Sequence, residues 1–385
     1  MPPARNRPAR RTRSGSGERI LVLWNSVGED PYEKFKDPQP LPWNPTETAA
    51  DIGTDADELD AIMDALRGRG YKVKGVNISE SFDELLGALR TFKPNAVFNL
   101  VEFFNDKPVQ EAYVAGLYEL LQVPYTGATP GCLLTCQRKF RTKVLLESQG
   151  VPTPEYTLVR ELPVPKNLEV QYPVIVKPAR EDASGGIHRD AVCHEHAELE
   201  VQVERVLREY QQSALVERFI EGREIHVAIL GNDPPEVLPL LELEFDEREG
   251  DEFNPKILTY EAKWDPLSPD FYALDVQVPA KGLPRRLGNR IREVALAAYK
   301  ITECRDYARV DLRIEEDGEP YVLEVNPNPN LAEGTGFMLC AEKSGRTFEE
   351  TIEQLARMAL ARGPARPVKP RPRRRQRTTA STSTK

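Results

Sequence analysis

Apolar positions follow two rhythms along the chain. Short unbroken runs at Ile20–Trp24 and Ala96–Leu100 read as buried strands, because a strand covered on both faces has no polar side to alternate with. Between them, helical spacing predicts helices near Asp57–Arg69 and Ser81–Phe92, separated by the strand-like Tyr71–Val76. After Trp24 the pattern breaks into a Gly/Pro/Asn-rich stretch, Asn25–Pro45, which reads as a long surface loop. Strands alternating with helices of this length predict a parallel sheet, so the first hundred or so residues form an α/β domain.

Further on the rhythm changes. A helical pattern over Thr135–Gln149 is closed by Val151-Pro152-Thr153-Pro154, since proline disfavours helix at its own position and at the one before. A strand at Tyr172–Lys177, a glycine-containing turn, a strand near His188–Cys193, a helix at Glu195–Tyr210 and strands at Ala214–Phe219 and Glu224–Leu230 follow. Short strands then dominate to residue 325, interrupted by a helix at Arg285–Lys300, and the last helix is Phe348–Arg362. No internal repeat of fixed period is present. The chain reads as an α/β domain followed by a larger α+β region.

Charge refines this picture. The net charge is −9, but residues 1–19 carry six arginines against one glutamate and residues 361–385 carry nine basic residues and no acid, so the interval 20–360 stands at −23. Both ends are rich in Pro, Arg, Ser and Thr and are expected to be disordered and dispensable for chemistry. The run Arg371–Arg377 could bind nucleic acid or another polyanion, with a plain solvated end as the favoured reading. With 40% apolar and 29% charged residues the body is not disordered, and no apolar run approaches the roughly 18 residues of a membrane span. Five scattered cysteines without a C-x-x-C pair, and no apolar leader, point to a reducing, cytoplasmic home.

Three segments carry chemistry. In Val174-Ile175-Val176-Lys177-Pro178 a strand delivers a lysine to a loop with Ser184, Gly185 and Gly186, where backbone N–H groups can approach phosphate oxygens; a plain hairpin turn is the competing reading. In Tyr307–Arg313 and Tyr321–Asn326, residues two apart share a face, so Arg309 with Asp311, and Glu324 with Asn326, project together. The Asp317-Gly318 turn predicts a hairpin that joins the two pairs, offering hard oxygen ligands to Mg²⁺; Arg309 neutralising Glu324 is the competing reading. In Leu215–Ile225 a strand crosses an acidic, glycine-bearing turn into a second strand, and its carboxylates could serve an adenine amino group and ribose hydroxyls.

The order of these segments resembles the ATP-grasp superfamily, and within it the D-alanine–D-alanine ligase family, over nearly all of residues 20–360. Leu120-Leu121-Gln122-Val123-Pro124-Tyr125-Thr126-Gly127 followed by Lys139 is similar to the family's L-G-x-P-Y-T-G segment and phosphate-binding lysine. Glu261-Ala262-Lys263 looks like its E-A-K motif. The resemblance implies an N-terminal domain (20–130), a central lid (131–220) and a C-terminal domain (221–362) between basic tails at 1–19 and 363–385. It implies an ATP-dependent ligase that activates a carboxylate as an acyl phosphate and joins it to an amine. Lys139, Lys177, Glu217, Arg218, Ile220, Glu224 and Lys263 would bind ATP, and Asp311, Glu324 and Asn326 two Mg²⁺ (or Mn²⁺). Arg309, Ser184, Asn330 and Thr335 would act on the reacting groups. Small-molecule carboxylate and amine are the expected partners, with amino-acid or dipeptide substrates; a homodimer is left open. The alternative is a non-catalytic nucleotide-binding module whose tails bind an acidic partner.

Departures from the family concern the substrate. Its G-x-S-x-E segment is here Asn25-Ser26-Val27-Gly28-Glu29-Asp30, its L-H-G is Asn99-Leu100-Val101-Glu102, and its N-T-x-P-G-M-T is Asn326–Ala332, with Asn330 in the oxyanion region. D-alanine is therefore one candidate donor among others. Cys132 and Cys136, one helical turn apart, read as small buried side chains, and His194-Glu195-His196 as a solvated turn.

Overall fold

The computed structural model describes residues 17–26, 32–37, 39–48, 54–79, 81–105, 107–181, 184–245 and 255–363. Glu29, most of the Asn25–Asp30 segment and nearly all of both basic tails lie outside the described residues.

The first sheet is parallel, in the order β4 (Lys72–Asn77), β1 (Arg19–Trp24), β5 (Ala96–Leu100). The helices α1 (Asp55–Gly68) and α2 (Phe82–Phe92) connect its strands. Thr54 caps α1 in a reciprocal box with Asp57, which satisfies two N–H groups the first turn leaves without partners. The apolar run of β1 feeds two cores at once: Leu21 and Leu23 pack on one side, Ile20 and Val22 on the other. Within the expected loop after β1 stands a small hairpin, β2 (Pro40–Leu41) with β3 (Asn44–Thr48). Tyr32 Oη donates to the Trp264 carbonyl at 3.2 Å, tying this segment to the far half of the chain.

The expected helix Thr135–Gln149 is two helices, α4 (Pro130–Cys136) and α5 (Lys139–Ser148), after α3 (Glu111–Leu120). Pro130 starts α4 early behind a Thr129 cap, and the Thr142 hydroxyl donates to Thr135 O at 2.8 Å, securing the break. Lys139 therefore begins a helix rather than riding in the middle of one.

A four-stranded sheet follows in the order β6 (Tyr156–Val159), β9 (Ala214–Arg218), β7 (Val174–Pro178), β8 (Val192–Cys193), covered by α6 (His196–Glu209). It has an apolar core of its own, with Val176, Val216, Leu199 and Val203 buried together. The strand expected at His188–Cys193 is only β8, because Arg189–Ala191 form a single 3₁₀ turn.

The third sheet runs β13 (Leu274–Gln277), β12 (Leu241–Phe245), β10 (Arg223–Leu230), β14 (Tyr307–Ile314), β15 (Pro320–Asn326), with β11 (Glu236–Val237) on β10. The helices α8 (Arg285–Ile301) and α10 (Phe348–Arg362) close its cores, joined by two short helices that periodicity cannot reveal, α7 (Tyr260–Trp264) and α9 (Gly336–Lys343). Ile225 and Val227 share a core with Leu21 and Leu23, so the first and third sheets form one packed body beside the separately cored middle sheet. Among the described residues no helix is long and apolar enough to cross a membrane.

Candidate active site

The β14–β15 hairpin forms as its turn predicts and sets the floor of the site. Register places Arg309 opposite Asn326 and Asp311 opposite Glu324. Arg309 grips Asp311 through two hydrogen bonds of 2.7 Å each, and Glu324 is engaged by Lys139, whose Nζ lies 2.8 Å from its Oε2. The Lys139 ammonium, against the opposing effect of burial, holds the Glu324 carboxyl well below the ordinary carboxylate range. Burial disfavours the Arg309 charge, but Asp311 outweighs it and keeps the guanidinium pKa above its usual value.

The wall comes from the middle sheet. Lys177, at the end of β7, sits 3.0 Å from Glu217 Oε2, and Lys143 lies 3.3 Å from the other oxygen, with Lys143 and Glu217 each 1% exposed. Burial lowers Lys143 to about 8 despite that carboxylate, while the two lysines outweigh burial at Glu217 and bring its pKa below the usual value. Lys143 also donates to Thr153 Oγ1 at 2.8 Å, and Thr153 to Val322 O at 2.8 Å, linking the wall to the hairpin.

The crossing from β9 to β10 closes the back. At Gly222, with φ +128°, an added Cβ would stand 2.1 Å from Ile314 O, so only glycine lets the two backbones meet. The Ile220 carbonyl accepts from Arg313 Nη1 at 2.9 Å, and Arg218 stacks over the Tyr321 ring at 5.1 Å. Glu224 receives Arg313 twice at 3.0 Å and His226 Nε2 at 3.2 Å. Burial pushes Glu224 upward, but the Arg313 charge and the His226 contact prevail and bring it down to about 2.

A loop after β7 covers the opening. Ser184 is left-handed at φ +64°, and its carbonyl accepts from Ile187 N–H at 2.9 Å. The Tyr260 N–H donates to Ile187 O at 2.9 Å and His188 Nδ1 lies 2.7 Å from Glu261 Oε1, fastening the loop to α7. That helix carries Lys263, whose pKa is lowered by burial and then by the like charge of Arg309.

Eleven of the fourteen residues anticipated from the sequence therefore line one cleft. The other three, Asn326, Asn330 and Thr335, do not line it. Asn326 Oδ1 accepts from Asn328 N–H at 2.9 Å, Asn330 Oδ1 from Ala332 N–H at 2.6 Å, and the Thr335 hydroxyl donates to Ala332 O at 2.7 Å. Sequence reasoning missed Lys143, His226, Arg313 and the His188–Glu261 contact. Lys143 was signalled by its place one helical turn after Lys139, and Arg313 by the same-face series Arg309, Asp311, Arg313. His226 is paired with Asp311 in the strand register, a placement with no local signal.

Comparison with known proteins agrees with this geometry. Residues 145–357 match the family described as D-ala D-ala ligase C-terminus. The chain is 34% identical to an uncharacterised protein, y4sG, of Sinorhizobium fredii, over 89% of this chain and 97% of that one. It is 31% identical to a D-alanine–D-alanine ligase of Carboxydothermus hydrogenoformans, covering 78% and 92%. Its fold superposes on the Bacillus anthracis D-alanine–D-alanine ligase complexed with ATP at a TM-score of 0.67 and 20% identity, over 89% of this chain and 98% of that one. The VanG D-Ala:D-Ser ligase of Enterococcus faecalis superposes at 0.64 and 18%, over 89% and 100%.

Proposed function

The chain belongs to the D-alanine–D-alanine ligase family of ATP-grasp enzymes, and on that premise we propose how its cleft works and what it joins. It is an ATP-dependent ligase that forms an amide bond between a carboxylate and an amine, with amino acids as substrates. The family sets aside the non-catalytic alternative.

Asp311 and Glu324 would supply carboxylate oxygens, hard donors of the kind Mg²⁺ takes, with Mn²⁺ as a substitute, and Asn326 would add a carboxamide oxygen on giving up its bond from Asn328 N–H. The fit rests on the Glu324 carboxylate, which Lys139 holds in its ionised form, and on Asp311 opposite it in register. Metal ions held there would neutralise phosphate oxygens. Lys139, Lys177 and Lys263 approach the same phosphates from three elements. Glu217, the Arg218 and Ile220 backbone and Glu224 form the nucleoside end. The loop carrying Ser184 shuts over the phosphates and keeps water from an acyl phosphate. Arg309, with backbone near Asn330, would stabilise the oxyanion that forms when the amine attacks, and Thr335 would reach the acceptor's carboxylate on turning its hydroxyl from Ala332 O. We read the domains as 20–130, 131–220 and 221–362; the separate core under β6–β9 supports a lid in the middle. ATP supply and the reduced thiols favour the cytoplasm.

One observation carries this reading: Lys139, Lys177, Lys263 and Arg309, from both halves of the chain, converge with Asp311 and Glu324 in one cleft. D-alanine is one candidate donor, since Asn25–Asp30 and Asn99–Glu102 depart from the family pattern. Incubation with Mg²⁺-ATP and single amino acids in pairs, read by phosphate release and product mass, tests it. No substrate-dependent phosphate release across the set would refute ligase chemistry in this cleft, and D-alanyl-D-alanine as the sole product would remove the broader donor range.

A further inference from the structure

Away from the cleft, three thiols meet. Cys132 Sγ lies 3.9 Å from Cys136 Sγ and 3.6 Å from Cys304 Sγ, and the three sulfurs all fall within 4.8 Å of one another. Cys132 and Cys136 are buried, while Cys304 is partly exposed and gives the group an outlet to solvent. The first two stand one turn apart on α4 and point the same way, and the third arrives 168 residues later from the turn between α8 and β14. The Thr302 hydroxyl, which donates to Ala298 O at 2.8 Å, presents its oxygen 3.3 Å from Cys304 Sγ.

The distances suit a soft ion. Zinc–thiolate bonds of about 2.3 Å at tetrahedral angles put sulfurs about 3.8 Å apart, between the two measured separations. The spacing Cys132-x₃-Cys136 lies within the range used by thiolate metal sites, and three thiols without a hard oxygen donor select Zn²⁺, Cd²⁺ or Cu⁺ over Mg²⁺. We propose that Cys132, Cys136 and Cys304 form a binding site for a thiophilic d¹⁰ metal ion, separate from the nucleotide cleft. Binding replaces the thiol protons with metal–sulfur bonds, so a divalent ion gives a tris-thiolate and releases three protons; no electron is transferred.

The site has a lever on the cleft. Cys136 ends α4 three residues before Lys139, and Cys304 precedes by five residues Arg309 on β14. An ion joining them fixes the anchors of the Lys139–Glu324 and Arg309–Asp311 pairs relative to each other.

The test uses the full chain, reduced and freed of metal, titrated with Cd²⁺ and with Zn²⁺. The expected result is one equivalent bound with a thiolate-to-cadmium charge-transfer band of three-sulfur intensity, a raised melting temperature, and release of close to three protons per ion. Cys304→Ala should weaken binding by about 100-fold or more, since even groups outside the ligand set change affinity by 10–100-fold. Cys340→Ala, which removes a buried thiol outside the trio, should leave it unchanged and controls for folding. Absence of a one-equivalent band, or binding that survives Cys304→Ala, would overturn the proposal. So would a mass two hydrogen atoms lighter after air exposure that metal cannot prevent, with oxygen taking the two electrons, which would mark the trio as a disulfide-forming pair with a spectator.

Discussion

Glu217 is caught between two ammonium groups in a place without solvent, and its replacement by Gln tests the energetics of the wall. At an effective dielectric constant of 20, unit charges 3.3 and 3.0 Å apart attract by about 5 kcal/mol each, and desolvation offsets much of this. Glu217→Gln leaves both lysines without their carboxylate, and breaking a buried pair in this way costs about 3–5 kcal/mol. Lys143 sets the ceiling on that loss, because it can discharge. Its folded pKa is about 8, and loss of the Glu217 carboxylate, which favours the charged form, moves it lower still. Between the folded value and the unfolded value near 10.4, the unfolded chain binds more protons than the native one, so stability rises with pH by about 1.4 kcal/mol per unit. The wild type gains only above pH 8, whereas the variant begins to gain at a lower pH. Their difference should therefore shrink as pH rises from 7 to 9. Urea unfolding at the two pH values, for Glu217→Gln, Lys143→Met and the double variant, measures this, with the double variant losing less than the sum of the singles. A Glu217→Gln loss under about 1 kcal/mol, or strict additivity with Lys143→Met, would refute the reasoning.

Four further outcomes are expected. Glu324→Gln should keep the fold and lower turnover by more than about 100-fold in a phosphate-release assay, and near-normal turnover would remove it from the metal site. Glu224, held at about 2 against an ordinary 4.5, contributes stability that is complete above about pH 4.5 and lost as pH falls toward 2. That contribution is about 3 kcal/mol, and Glu224→Gln should flatten the acid limb of the stability curve, which an unaltered limb would disprove. His188→Ala should raise KM for ATP several-fold by freeing the loop from α7, with kcat less affected in steady-state kinetics; an unchanged KM would deny the clasp. Gly222→Ala should cost more than about 3 kcal/mol, because neither its positive φ nor the neighbouring carbonyl leaves space for a methyl group, and an unshifted melting curve would contradict this.

The parts of the fold that sequence revealed are those whose cause is local. Ala96–Leu100 and Phe348–Arg362 carry their pattern within themselves, and the structure returns the same boundaries. The break at Gln137-Arg138 carries no proline or glycine to mark it, and what secures it is a threonine hydroxyl reaching back seven residues. The cleft was legible where two functional side chains share a strand, as Arg309 and Asp311 do. His226 was not, because its pairing with Asp311 depends on β10 lying beside β14, a fact of topology rather than of spacing. The meeting of Cys304 with the α4 cysteines was invisible for the same reason.

At rest the cleft is a closed account of charge: Lys139 already has its anion and Asp311 its cation. A bare triphosphate entering this site would draw Lys139 away and strand Glu324, while a bare metal ion taking Glu324 would strand Lys139. Arriving together they merely exchange partners, the metal taking the carboxylates as the phosphates take the lysines. On the proposed reading the site would bind the two as one species and discriminate against either alone, so that nucleotide affinity should fall steeply without the metal even though the lysines are all present.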